Sequence, residues 1–288
     1  VTNSGAITLE KASSTGISSV NGNVTNSSGA TITAQEGSSV GIYSKLAGKD
    51  DITVSNAGKI SLNTASPAPS PVPEESAAIY SLIGSVTGKL ITTNSGTINV
   101  KKESSAGILG TKAKITNTGT GTTGGILLTA VKTAGIIANA GSLVSNTGRI
   151  ETSGVTPTVA TDGLVGIAVD ASTASNSGTI TLGTEYSTGM NGVAKSVLTN
   201  SGTITGNKAN AVGIAVNDSK ATNAATGKII LNGLISTGMF GAVGSTIINE
   251  GEIEGTQGNA VGMAGDASTV TNKNTISLAG KNSTGLFG

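Results

Sequence analysis

The sequence contains no histidine and no cysteine. Histidine is the commonest general base and, with cysteine, the commonest transition-metal ligand. Their absence removes the usual nucleophile–base pairings and structural zinc sites. A chain without cysteine forms no disulfides and performs no thiol chemistry, which suits export in an unfolded state. Aromatics are limited to Tyr43, Tyr80, Tyr186, Phe240 and Phe287, too few for the core of a large globular domain. Arg149 is the sole arginine, and the 17 basic and 16 acidic residues are spread along the chain for a net charge of +1. No basic stripe with stacking aromatics points to nucleic acid. No apolar run reaches the roughly 18 residues that a membrane helix requires, and no signal peptide is visible.

What the chain has instead is a repeat. The phrase Asn176-Ser177-Gly178-Thr179-Ile180-Thr181-Leu182 recurs as Asn200-Ser201-Gly202-Thr203-Ile204, as Asn249-Glu250-Gly251-Glu252-Ile253, and in varied form throughout. The anchor asparagines are Asn3, Asn26, Asn56, Asn94, Asn117, Asn146, Asn176, Asn200, Asn223, Asn249 and Asn272, at intervals of 23, 30, 38, 23, 29, 30, 24, 23, 26 and 23. The minimal unit is therefore 23 residues, and longer units carry insertions. A second interval is stricter: nine residues separate the ladder isoleucine from the next glycine at Ile7–Gly16, Ile32–Gly41, Ile98–Gly107, Ile126–Gly135, Ile180–Gly189, Ile204–Gly213, Ile229–Gly238, Ile253–Gly262 and Ile276–Gly285. Only the units starting at Ile60 and Ile150 break it. A spacing kept while its surroundings vary marks a geometric constraint.

Each unit holds three short segments that alternate apolar and polar residues, the pattern of half-buried strands. Thr179-Ile180-Thr181-Leu182 is the first type; in the second, Val212, Ile214 and Val216 are expected to share a face. The third ends at the anchor, as in Ser196-Val197-Leu198-Thr199-Asn200. Gly, Thr, Ser and Asn are too dense for amphipathic helices. Three strands per 23-residue turn specify an all-β parallel β-helix of about eleven rungs, each strand pairing with its counterpart one rung along. One elongated unit spanning 1–288, rather than two globular domains, follows from the short period. Starting and stopping inside a repeat, the chain reads as a fragment of a longer solenoid. Glycine after the anchor suits a tight corner, and stacked asparagines are expected to bond along the axis.

Insertions interrupt this plan at 44–51, 63–77, 81–89 and 151–164. The second contains Pro67, Pro69, Pro71 and Pro73, which cannot join a strand ladder and favour an extended protruding loop. Smaller enlargements follow Asn26 (two extra residues), Asn117 (five) and Asn223 (two). The insertions of rungs two and three are neighbours. Tyr43 and Tyr80 each follow an inward isoleucine and are expected to end their strands, to point outward and to stack. Exposed aromatic pairs beside loops serve as binding anchors, and they also simply cover sheet surface. Any ligand surface is therefore expected at Tyr43, Lys45, Lys49, Asp50, Asp51, Glu74, Glu75 and Tyr80, because solenoid insertions tend to form the binding face.

Catalytic residues are not expected. The acidic pairs Asp50-Asp51 and Glu74-Glu75 lie in loops and read as solvated turns, and the Gly-rich calcium nonapeptide is missing. No metal or cofactor is implied. Glu250, Glu252 and Glu254, facing Lys228 and Lys273 on flanking rungs, read as a cross-rung charge ladder. A carbohydrate-active enzyme, polysaccharide lyase or glycosidase, on the same scaffold is the main rival, and a cleft with three or more converging carboxylates would favour it. A threonine-faced ice-binding solenoid is a third reading, but its outward Thr-x-Thr rows are broken here by Glu, Lys and Asn.

The phrases Asn176-Ser177-Gly178-Thr179-Ile180 and Ser236-Thr237-Gly238-Met239-Phe240-Gly241 resemble the passenger regions of large type V autotransporter adhesins, in particular fusobacterial outer-membrane adhesins of the RadD kind. The resemblance implies a right-handed coil, display at the cell surface, and secretion through a C-terminal β-barrel lying outside this chain. It also implies attachment to surface proteins or glycans of other bacteria or host cells. It supplies no motif that marks a binding residue. Ala78 in place of glycine, Asn274 in place of glycine after Asn272, and Gly121 where isoleucine is expected depart from the repeat.

Overall fold

A computed structural model describes residues 1–63, 76–84, 86–121, 124–157 and 159–288. It is a parallel β-solenoid of eleven rungs. Among the described residues, 33 strands form three eleven-stranded sheets in which every third strand of the chain is a neighbour. We call them sheet A, whose strands end at the anchor asparagines, sheet B, which follows the anchor corner, and sheet C. With strands about 4.8 Å apart, eleven rungs extend roughly 50 Å. Among the described residues there is no α-helix, only a 3-10 turn at Ala160–Asp162. None is long and apolar enough to cross a membrane.

The expected ladder of inward isoleucines is present: Ile32, Ile60, Ile98, Ile126, Ile150, Ile180, Ile204 and Ile253 are fully buried along sheet B. They pair in register from rung to rung, as Ile98 does with Ile60 and Ile126. The narrow interior leaves no place for large rings, and the low aromatic content follows from that.

The nine-residue interval has a physical cause that alternation alone misses. The glycine of sheet C faces the core, not solvent. A Cβ on Gly213 would lie 2.7 Å from Ile229 Cγ2 and 2.5 Å from the Gly238 carbonyl. The same relation joins Gly16 to Ile32, Gly41 to Ile60, Gly107 to Ile126 and Gly189 to Ile204. Each rung's glycine thus makes room for the isoleucine methyl of the next rung. Val212 consequently does not share the inward face of Ile214 and Val216. It is half-buried on the outside, while Ile214 and Val216 are buried.

The anchor asparagines stack as expected. Ten consecutive Nδ2–H groups donate to the Oδ1 of the next rung, from Asn3 to Asn26 through Asn249 to Asn272, at 2.7–2.8 Å. The nine from Asn26 to Asn249 are completely buried, so each link stands in low dielectric where hydrogen bonds are strong. A second ladder runs four residues upstream of the anchors. The amides of Ala113, Ser142, Ser172, Ser196 and Ser219 donate to Ser142, Ser172, Ser196, Ser219 and Ser245 Oγ at 3.0–3.4 Å. It closes the corner between sheets C and A by the same device. The Oγ atoms of Ser44 and Ser268 are the buried side-chain polar atoms left without a partner among the described residues.

The expected charge ladder also forms. Lys228 Nζ lies 2.6 Å from Glu252 and Lys273 Nζ 2.9 Å from Glu250, both across rungs. The hydrogen bond and charge of Glu252 raise Lys228 above its ordinary lysine value. Both pairs are exposed, where such contacts contribute little.

Candidate functional site

The two tyrosines are brought together on the outer face of sheet C. Strand β6 (Val40–Leu46) pairs with β9 (Ala77–Ile83), with Tyr43 opposite Tyr80. Their rings are edge to face, with centroids 5.5 Å apart and planes at 74°. They do not stack in parallel, which agrees with the quadrupole preference of aromatic pairs. Both are half-buried.

The strands run further than the insertions suggested. Residues Ser44–Leu46 and Ser81–Ile83 continue the ladder, so Tyr43 and Tyr80 are mid-strand rather than terminal. The reason is alternation: Ser44 and Ser81 turn inward as small side chains, and Leu46 and Ile83 fill the core beyond them. The turns proper are 47–51 and the described residues of 84–89 (84 and 86–89). Lys45 lies outward on the tyrosine face, opposite Leu82.

Lys49, Asp50 and Asp51 are exposed on the adjoining turn. Asp51 has a structural partner, since its Oδ1 accepts the Lys89 amide at 2.8 Å. That bond, with Gly84 N–H to Leu46 O and Ile52 N–H to Lys89 O at 2.9 Å each, stacks the two turns on one another. Lys45 and Lys49 form no ion pair among the described residues. Glu74 and Glu75, and 64–75 of the proline-rich insertion, lie outside the described residues. In the insertion at 151–164, Glu151 and Thr152 belong to a strand (Arg149–Thr152), and Asp162 pairs with Lys132 at 3.4 Å.

The structure adds residues that the tyrosine reading omitted. Tyr80 is in register with Leu109, and Leu109 with Ile137. All four side chains are half-buried on the outside, forming an apolar row across four consecutive rungs. Each follows an inward isoleucine (Ile42, Ile79, Ile108, Ile136), and that sequence signal finds the row once it is applied beyond the aromatics.

A second exposed apolar group occupies a single rung, at Leu234, Ile235, Phe240 and Val243. Ile235 is held there at φ 57°, a costly conformation for a β-branched residue.

Among the described residues no group of three or more His, Cys, Asp or Glu is placed to hold a metal. Sheet A presents an outward hydroxyl row from Thr25 and Ser55 through Thr93, Thr116, Ser145, Ser175, Thr199 and Thr222. The rank beside it is interrupted by Ile91, Lys114, Leu143, Val197 and Lys220, so no two-rank threonine array forms.

One comparison with known proteins bears on this geometry. Residues 1–123 match the BigA third pectate lyase-like domain family. The matched stretch is the one that carries Tyr43, Tyr80, Leu109 and their turns. It relates this part of the chain to a bacterial surface protein of adhesin type. No curated protein matches the chain, and no solved structure does.

Proposed function

We propose that this solenoid is the displayed passenger region of an outer-membrane autotransporter adhesin, attaching its cell to a surface protein or glycan on other bacteria or on host cells. The observation that carries the reading is the outward row Tyr43–Tyr80–Leu109–Ile137, bordered by the stacked turns that hold Lys49, Asp50 and Asp51. A rigid edge-to-face aromatic pair offers contact area at little entropic cost, and aromatic anchors dominate binding energetics. The remaining rungs serve as spacer. Anchorage through a β-barrel outside this chain, and kinship with fusobacterial adhesins of the RadD kind, rest on the repeat phrases.

A fluorescently labelled chain should attach to target cells, and joint Tyr43→Ser and Tyr80→Ser substitution should weaken attachment about tenfold or more without unfolding. If that variant attaches normally, while Phe240→Ser with Val243→Ser does not, the binding face lies at rung nine and the assignment to rungs two to five fails.

We also propose that the chain has no catalytic activity of its own. Support comes from the lack of histidine and cysteine and from the structural use of Asp51 as a turn acceptor. Incubation with acidic and neutral polysaccharides should release no new chain ends. Turnover abolished by Asp50→Asn or Asp51→Asn would overturn this.

A further inference from the structure

The corner between sheets A and B is minimal in most rungs, with four residues from anchor to ladder isoleucine, as in Asn56–Ile60, Asn94–Ile98 and Asn146–Ile150. Two enlarged corners stand three rungs apart. The first is Asn26–Ile32, where Gly29 turns the chain outward at φ 83°; the second is Asn117–Ile126. Between these walls lie the two minimal corners of rungs three and four. Together they enclose a groove of about 350 Å³, ended by Gly29 and Thr31 on one side and by Thr120 and Gly124 on the other. That volume is within the range of small-molecule sites, about 300–1,000 Å³. The corner after Asn223 is also enlarged, but it stands four rungs from the Asn117 corner, with three minimal corners between them rather than two.

The floor of the groove is bare backbone. A Cβ on Gly58 would lie 2.3 Å from the Ala30 carbonyl, and one on Gly96 would lie 2.1 Å from the Gly58 carbonyl, so stacking against the preceding rung admits only glycine at these two positions. Lys59 opens strand β8 (Lys59–Leu62) at the centre of the floor and is the only charged lining residue among the described residues. It is exposed, is flanked in register by Thr31 and Thr97, and has no side-chain partner among the described residues. The other polar lining groups are hydroxyls: Thr31, Ser95, Thr97 and Thr120. Among the described residues no carboxylate and no aromatic ring lines the groove.

This chemistry selects its ligand. A cation would be repelled by the like charge of Lys59, and an apolar ligand would meet mostly hydroxyls and backbone, with only Ala30 and Ala57 as apolar side chains. A bare phosphate is best held by a nest of free amides, but the floor amides are occupied: Ala57 and Gly58 donate to the Asn26 carbonyl, and Ser95 and Gly96 to that of Asn56, at 2.9–3.2 Å. What remains is one fixed positive charge amid hydroxyls and backbone carbonyls. We infer that the groove binds a carboxylate-bearing sugar unit of the hexuronate or sialate class. Its carboxylate rests on Lys59 Nζ, and its ring hydroxyls on Thr31, Ser95 and Thr120. The site is on a different corner from the tyrosine face and does not depend on it.

The test is amide NMR on the ¹⁵N-labelled chain titrated with glucuronate or N-acetylneuraminate, with glucose, acetate and inorganic phosphate as comparison probes. The acidic sugars should shift Gly58 and Gly96 saturably, and glucose should bind about tenfold or more weakly for want of the charge-assisted contact. Lys59→Met should reduce the acidic sugars to the level of glucose, and Ser95→Phe, which fills the groove from an exposed position, should abolish binding of all of them. Unchanged signals elsewhere confirm that both variants fold. Acetate or phosphate binding as tightly as the acidic sugars means an adventitious anion contact only and overturns the inference. So does an absence of saturable shifts, or indifference to Lys59→Met. Failure here leaves cell attachment through Tyr43 and Tyr80 untouched, and the reverse also holds.

Discussion

Replacing Ile204 with aspartate should lower stability by several kcal/mol, the cost of an unpaired charge or a buried carboxylic acid in a dry interior. Ile204 is completely buried between Ile180 and Ile229 on sheet B, and its Cγ2 occupies the space beneath Gly189. The neighbouring Thr205→Asp change points outward, between Thr181 and Ile230, and should cost about 1 kcal/mol or less. Denaturant midpoints of the two variants measure the difference. The introduced acid should be protonated in the folded state and ionised in the unfolded one at neutral pH. The folded state then binds more protons, so the loss at position 204 should grow as pH rises above the unfolded carboxyl value, near 4. Equal losses at the two positions would reverse the assignment of inner and outer faces.

The second large effect is expected in the asparagine ladder. Asn146→Ala removes a link that accepts from Asn117 Nδ2 at 2.7 Å, donates to Asn176 Oδ1 at 2.7 Å, and donates to the Gly148 carbonyl at 3.3 Å. The neighbours lose partners in a fully buried row. Stranding buried polar groups costs about 1–3 kcal/mol each, so a loss of about 3 kcal/mol is expected. The control is Asn232→Ala, whose side chain bonds Asn207 at 3.0 Å in solvent. That change should stay within about 0.5 kcal/mol. Thermal or chemical unfolding that treats the two alike would show that the ladder is incidental to stability.

Much of this was legible in the residues. The isoleucine ladder, the anchor asparagines and their axial hydrogen bonds follow from a period of 23 and from alternation. Lys228–Glu252 and Lys273–Glu250 follow from position in the unit. The serine ladder was equally available, always four residues before the anchor, yet serine is so common here that the column is hidden among turn residues. The orientation of the sheet C glycine was not legible. Simple alternation puts Val212 inside, and only the approach of Ile229 and the Gly238 backbone shows why glycine must face inward.

The candidate sites divide in the same way. Tyr43 and Tyr80 could be paired from sequence because each follows an inward isoleucine. Their edge-to-face contact and the extension of the row through Leu109 and Ile137 required the register. The groove over Lys59 was invisible in the chain, since its walls come from turns some 90 residues apart that stacking brings to one corner.

By itself, then, the sequence determined the all-β solenoid, its rung count, its corners and the faces of most strands, because a short period repeats the same local choice eleven times. The tertiary structure alone decided where insertions end and strands resume, which glycines face the core, and which side chains on separate rungs share a surface. Those outcomes depend on the stacking of unequal rungs, in which contacts form between residues that variable insertions have separated along the chain.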